Sequence, residues 1–215
     1  MTPIPAFGQE NEKGRAIFDA AMALFLEEGY DGASMDRIAA RAGVSKRTVY
    51  NRFKSKEDLF GAVVGDMCCQ ILPMGAPETG FDEPPREFLT RFALNFLRFS
   101  MEPQMLALHR LLSFEAARSP QLGALFFENG PSKVLSMLSD YFERQTALGR
   151  LETPDFEKAA WQFMALIKEP LHFRALFGQR PENLTEAIEA QADAGVAAFI
   201  KLYGASSGQS GGQSE

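Results

Sequence analysis

Seven cationic side chains fall between Arg37 and Lys56 (Arg37, Arg41, Lys46, Arg47, Arg52, Lys54 and Lys56), and no carboxylate interrupts them. The chemistry such a run can do is phosphate recognition, because Lys and Arg neutralise backbone phosphates and Arg can also read a base edge bidentately. Two smaller sets could do other work. Cys68 and Cys69 are adjacent, and His109 and His172 are the only histidines. Neighbouring cysteines cannot both face one way on a helix, and with two isolated histidines they make no zinc set. They are expected to be reduced thiols of a cytoplasmic protein, a redox switch being the alternative. Each histidine, taken alone, reads more readily as a surface or satisfied core residue than as a ligand contact. No nucleophile elbow, Gly-rich phosphate loop, HExxH or carboxylate pair with a plausible base is present. The sequence therefore predicts no enzyme, no metal and no cofactor.

Short helices must carry the basic run. Ile17, Ala20, Ala21, Leu24 and Phe25 recur at one face of a first helix, and Gly29 supplies a stop where φ is positive. Ser34 can cap a second helix, with Asp36 in its first turn and Gly43 at its end. Ser45 can cap a third, Lys46 to Phe53, and Ser55 with Asp58 stands at capping-box spacing before a fourth. Two short helices joined by a Gly-containing turn make a helix-turn-helix. Val49 and Phe53 would hold its second helix to the core, leaving Lys46, Arg47, Tyr50 and Asn51 outward. Spacing alone leaves an ordinary helical hairpin open.

The 215-residue chain has a net charge of −6, which taken whole argues against a protein that coats nucleic acid. The charge is not evenly spread. The first 60 residues hold 9 basic and 9 acidic side chains, so the whole excess belongs to the remaining 155. Hydrophobic residues at 46% exclude global disorder, and no apolar run approaches a membrane span. The start, with neither a basic nor an apolar region, is expected to carry no signal peptide.

The segment from Gly32 to Phe60 resembles the DNA-binding signature of the TetR family of bacterial transcriptional regulators. Ile38-Ala39, the turn Ala42-Gly43-Val44-Ser45, Thr48-Val49-Tyr50 and Phe53-Lys54-Ser55-Lys56-Glu57 carry the resemblance. It implies an all-α homodimer of about nine helices, with a helix-turn-helix domain at residues 10–56 and an effector-binding and dimerisation domain at 57–204. It implies double-stranded operator DNA as a partner. Position by position, Lys46, Arg47 and Thr48 would touch bases or adjacent phosphates, with Ser45 at the cap. Tyr50, Arg52 and Lys56 would touch the phosphate backbone, and Ser34 and Arg37 would add backbone contacts. Asn51 departs from the commoner aromatic and could pair with adenine or with the backbone.

Beyond Phe60 a Pro-rich loop is expected at Pro73–Pro77 and Pro84-Pro85, followed by helices marked by Phe88, Phe92, Phe96 and Phe99, then by Met105 to Leu112, then by Val134 to Phe142 with a break near Gly130-Pro131. Thr153-Pro154 is expected to open the next, kinked at Pro170, and Pro181 the last. These two would form the dimer. Residues 205–215 are low-complexity and expected to be disordered. Leu111–Leu122, Gly130-Pro131 and Gly149-Arg150-Leu151 are similar to the AefR-like branch of the family. Thirteen of the 19 Phe lie between Phe81 and Phe177. Most must be core, but the resemblance requires an effector pocket among them, and Phe96, Met105, His109, Phe126, Trp161 and Met164 are its candidates. Such a pocket suits a small hydrophobic or aromatic effector. The resemblance thus implies a ligand-responsive repressor. Its rivals are a redox-responsive regulator using Cys68 and Cys69, and a ligand-binding protein that regulates no promoter.

Overall fold

A computed structural model describes residues 12–71 and 81–205, all helical apart from turns and one isolated bridge, Leu151 to Gly204. Helix α1 (Glu12–Gly32) buries Ile17, Ala20, Ala21, Leu24 and Phe25, the expected face. At Gly29 φ is +76°, a left-handed value that only glycine adopts freely, and the chain then coils on to Gly32. Helix α2 (Met35–Arg41) starts at Ser34, whose Oγ accepts the Arg37 amide at 3.3 Å. Helix α3 (Lys46–Arg52) starts at Ser45, whose Oγ accepts the Thr48 amide at 3.1 Å. Both caps satisfy amides that a helix leaves without internal partners. Gly43, at φ +66°, makes the turn between them. Before α4 (Lys56–Ile71), Ser55 Oγ accepts the Asp58 amide at 3.2 Å. Asp58 reaches back to the Lys54 amide at 3.0 Å, one residue beyond the usual capping-box partner. Val49 and Phe53 are buried, and Phe53 packs on Phe18 of α1, with ring centroids 5.8 Å apart.

The rest of the chain is a helical bundle. Helices α5 (Pro85–Ser100), α6 (Pro103–Glu115), α7 (Pro120–Asn129) and α8 (Pro131–Ala147) each begin on proline, whose missing amide costs nothing at that position. Helices α9 (Phe156–Lys168), α10 (Leu171–Leu176) and α11 (Leu184–Tyr203) complete it. Helix α9 lies between α8 and α11, and α11 also packs on α5. Their common core is aromatic: Phe142 stacks on Phe199 at 4.9 Å, and Phe163 meets Phe199 edge-on at 5.1 Å. The crossing of α9 and α11 is close at Gly195, where an added Cβ would stand 2.8 Å from the Leu166 carbonyl.

Several boundaries differ from the expected ones. Eleven helical segments are described, against about nine, because Gly130 and the Glu169-Pro170 linkage each separate two helices. Thr153 does not cap α9; it is buried, and Asp155 accepts the Lys158 amide at 2.9 Å instead. Pro181 does not open α11; Asn183 caps it through the Glu186 amide at 3.3 Å. In both places the better acceptor, a carboxylate or amide oxygen, sets the start. Pro73–Pro77 and nearly all of the 205–215 tail lie outside the described residues.

Candidate functional site

Two sites face different parts of the molecule. The first is the outer face of α2 and α3. Lys46, Arg47, Tyr50, Asn51 and Arg52 are all exposed there, because Val49 and Phe53 turn the opposite face of α3 inward. Arg47, Arg52 and the Lys54 ammonium have no carboxylate partner among the described residues, so three cations stand ready for an anion. The hydroxyls of Ser45 and Thr48 lie 2.8 Å apart and are engaged at the cap. Ser34 is likewise engaged at the start of α2.

The remaining cations are less open than the sequence suggested. Arg37 forms a fork with Glu28, Arg41 one with Glu27, and Lys46 pairs with Asp36. Glu27 and Glu28 lie just before the Gly29 kink of α1, nine or more residues away from their partners, so no helical i,i+4 rule could reveal these pairs. The unopposed run of seven is thus a property of the sequence window, corrected by the fold. Lys56 is turned inward. Its Nζ donates to the carbonyls of Tyr30 at 2.7 Å and Ala33 at 3.1 Å, and lies 4.2 Å from the Tyr30 ring centroid. Two of its three N–H donors are therefore committed to the end of α1. Lys56→Ala is expected to lower the melting temperature by several degrees and to leave the salt dependence of DNA binding near wild type. Thermal denaturation and a salt titration check both. The cause is the loss of a charged donor from two carbonyls, worth about 1.5–3 kcal/mol per bond before relaxation.

The second site is a cavity of about 370 Å³ lined by α4 to α10 and open on one side, where Trp161 and Phe127 are exposed. Phe96, Met105, His109, Phe126, Trp161 and Met164, the six sequence candidates, all line it. Val64 and Met67 of α4 also line it, so the helix that Lys56 ties to the end of α1 reaches the cavity. Helix α7 gives Phe126 and Phe127 to the wall and packs on α4, where an added Cβ on Gly61 would stand 2.9 Å from Asn129 Nδ2. Trp161 stacks on Phe127, with planes 7° apart. Of the polar part of the wall, the sequence pointed only to His109. His109 Nδ1 lies 3.0 Å from His172 Nε2, across 63 residues of sequence. Lys168, Ser100 and Ser113 join them. Burial lowers His109 to about 4 and His172 to about 3, the Lys168 ammonium adding to the effect in each. Both imidazoles are therefore neutral at neutral pH.

A pH dependence follows. The unfolded histidines bind protons near pH 6.5 and the folded ones only near 4 and 3. The unfolded state thus binds more protons in this interval, and stability falls as pH drops. Stability is expected to be level above about pH 7 and to decline from about 6.5 to 5, before carboxylates titrate. Melting curves across pH, with His109→Gln/His172→Gln as the variant that removes this slope, check it. The chain has no other histidine.

Among the described residues, no group of three or more His, Cys, Asp and Glu could hold a metal ion, and no helix is long and apolar enough to cross a membrane. Cys68 and Cys69 fall in the last turn of α4, and their side chains lie outside the described residues.

Residues 87–205 match the family description "AefR-like transcriptional repressor, C-terminal domain", and residues 17–63 match "Bacterial regulatory proteins, tetR family". The chain belongs to the TetR family. A TetR-family regulator from Mesorhizobium loti MAFF303099 is 34% identical, with a TM-score of 0.73 over 89% of this chain and 96% of that one. The flavonoid-responsive regulator FrrA is also 34% identical, with a TM-score of 0.69 over 89% of this chain and 97% of that one. Among curated relatives, the transcriptional activator FasR of Mycolicibacterium smegmatis is 44% identical over 54 residues. This match spans a quarter of each protein, 25% of this chain and 25% of FasR. TetR-family proteins are DNA-binding transcriptional regulators and not enzymes. The match to residues 17–63 covers α2 and α3 whole, and the match to 87–205 takes in most of the cavity wall.

Proposed function

We propose that this TetR-family chain is a ligand-responsive repressor, in which residues 10–56 read an operator and residues 57–204 bind an effector and form a homodimer. The observation that carries the reading is α4: it is anchored at one end to α1 by Lys56 and lines the cavity at the other with Val64 and Met67. Arg47 and Asn51 are assigned to base edges, with Lys46 and Thr48 beside them. Tyr50, Arg52 and Lys54 are assigned to phosphates. Ser34, Ser45 and Lys56 position α2 and α3, while Arg37 and Arg41 are assigned to phosphates that would replace the carboxylates of Glu28 and Glu27. The effector is a small hydrophobic or aromatic compound, in keeping with the cavity's aromatic wall and with the chain's similarity to the flavonoid-responsive regulator FrrA. It would release DNA only by binding the non-DNA spacing of the two reading heads more tightly. Tenfold weaker operator binding needs about 1.4 kcal/mol of such coupling, and the operator must weaken the effector equally.

Dimerisation is assigned to α9 and α11. The test is a genomic footprint of the purified protein with its mass in solution. Discrete sites with paired half-sites about one DNA turn apart, bound by a dimer, are expected. Uniform coverage of DNA would overturn operator reading, and a monomer mass at micromolar concentration would overturn the dimer. Nothing observed favours the redox alternative.

A further inference from the structure

The cavity wall carries one polar feature with an orientation that can be worked out. His172 is 2% exposed, and its Nδ1 is buried without a hydrogen-bond partner. Glu169 Oε1 stands 3.9 Å from that nitrogen and 3.8 Å from the Lys168 ammonium, while Oε2 accepts the Phe173 amide at 2.9 Å. A neutral imidazole has one N–H and one bare nitrogen, and the neighbours decide which is which. A carboxylate beside Nδ1 favours the proton there, since a bare lone pair facing it would be repelled. His172 Nε2 is then the acceptor. The bond of 3.0 Å to His109 must be donated by His109 Nδ1–H. That leaves His109 Nε2, which has no partner among the described residues, as a bare acceptor on a residue that lines the cavity.

The complementary ligand must offer a hydrogen-bond donor on an aromatic body. Phe96, Phe126 and Trp161 supply the stacking surface. Lys168 is on the wall with its ammonium paired to Glu169 at 3.8 Å, and no carboxylate lines the cavity, so an ammonium donor would meet a cation and find no anion of its own. A carboxylate ligand would meet the lone pair of His109. The donor that fits both neighbours is a neutral aromatic hydroxyl, with Lys168 tolerating the partial negative charge on its oxygen. We infer that the cavity selects phenolic aromatic compounds, whose hydroxyl donates to His109 Nε2 at the end of a Glu169–His172–His109 relay. The inference rests on the effector reading of the cavity given above and names the class of that effector. Within the relay, His109 is the contact, and His172 and Glu169 are positioning residues that fix its tautomer.

The experiment uses the full chain without DNA and follows Trp161, the only tryptophan, by fluorescence. Four probes are titrated: biphenyl, 4-hydroxybiphenyl, 4-methoxybiphenyl and biphenyl-4-carboxylate. The phenol is expected to bind at least about tenfold tighter than its methyl ether, because the ether leaves a buried acceptor unpaired. In His109→Phe the phenol and ether should come within about threefold of each other, and a circular dichroism spectrum like that of wild type shows the helical bundle intact. In wild-type protein, ¹⁵N NMR should show His109 Nε2 unprotonated and His172 Nδ1 protonated. Equal binding of phenol and ether, the tightest binding by the carboxylate, or the reversed tautomers would overturn the inference and leave the effector reading standing. Failure of all four probes to bind would overturn both.

Discussion

Arg47→Ala combined with Arg52→Ala is expected to weaken binding to a footprinted operator by at least about a hundredfold, or 2.7 kcal/mol. The size of the effect follows from which cations are uncommitted. Arg37, Arg41 and Lys46 answer to Glu28, Glu27 and Asp36, and Lys56 to two carbonyls. Arg47, Arg52 and Lys54 are what is left on the outer face, so two of three open charges are removed. A bidentate base contact is worth about 1–3 kcal/mol of discrimination. Each lost phosphate contact also flattens the plot of log affinity against log salt by about 0.9. The two residues should separate on a scrambled duplex. Arg47→Ala alone should lose operator preference, whereas Arg52→Ala alone should weaken both duplexes alike. Fluorescence anisotropy over a salt series measures all of this. Wild-type affinity in the double variant would remove α3 from the interface.

Gly195→Leu should lower the melting temperature by about 6–12 °C. An added Cβ there meets the Leu166 carbonyl at 2.8 Å and the Ile167 Cα at 2.9 Å, and both are backbone of α9. Backbone cannot swing aside as a side chain can, so the two helices must separate. Their shared core, Phe163 against Phe199 and Phe142, then loses its fit. Overpacking of a good core costs about 1–3 kcal/mol, and a long side chain at this crossing belongs at the upper end. For a chain of this length each kcal/mol moves the midpoint by about 2–4 °C. Light scattering on the same variant should show weakened dimers, since α9 and α11 are the proposed interface. Gly61 is the contrast. An added Cβ there meets the Asn129 amide, a side chain that can give at the cost of its bond to the Leu125 carbonyl, so Gly61→Ala should lower the melting temperature far less than Gly195→Leu.

The start of the chain was legible because its rules are local. Ser34, Ser45 and Ser55 each cap an amide three residues on, and Gly29 and Gly43 sit where the backbone goes left-handed. Every one of these relations fits within a turn of sequence. Proline was a poorer guide. Pro85, Pro103, Pro120 and Pro131 do begin helices, but Pro154 and Pro181 only precede them, because Asp155 and Asn183 offer the better cap. The cavity's apolar wall could be picked out since large side chains recur at helical spacing on several helices. Its polar relay could not. Nothing within either helix joins His109 to His172, and each histidine read alone pointed to a bland role. Glu27 and Glu28 were passed over for the same reason, since their partners belong to another helix.

Those carboxylates have a consequence for how the reading head meets its target. Each holds a guanidinium in a fork before any phosphate arrives, as a stand-in for the anion to come. The side-chain freedom that an unpaired arginine would lose on docking is already lost. What remains is an exchange of one oxyanion for another, in which no bare charge is stripped of partners. Affinity gained from such arginines is small, and so is the penalty for letting go. If the chain is the ligand-responsive repressor proposed above, contacts that are rehearsed and cheap to reverse suit release by a small molecule.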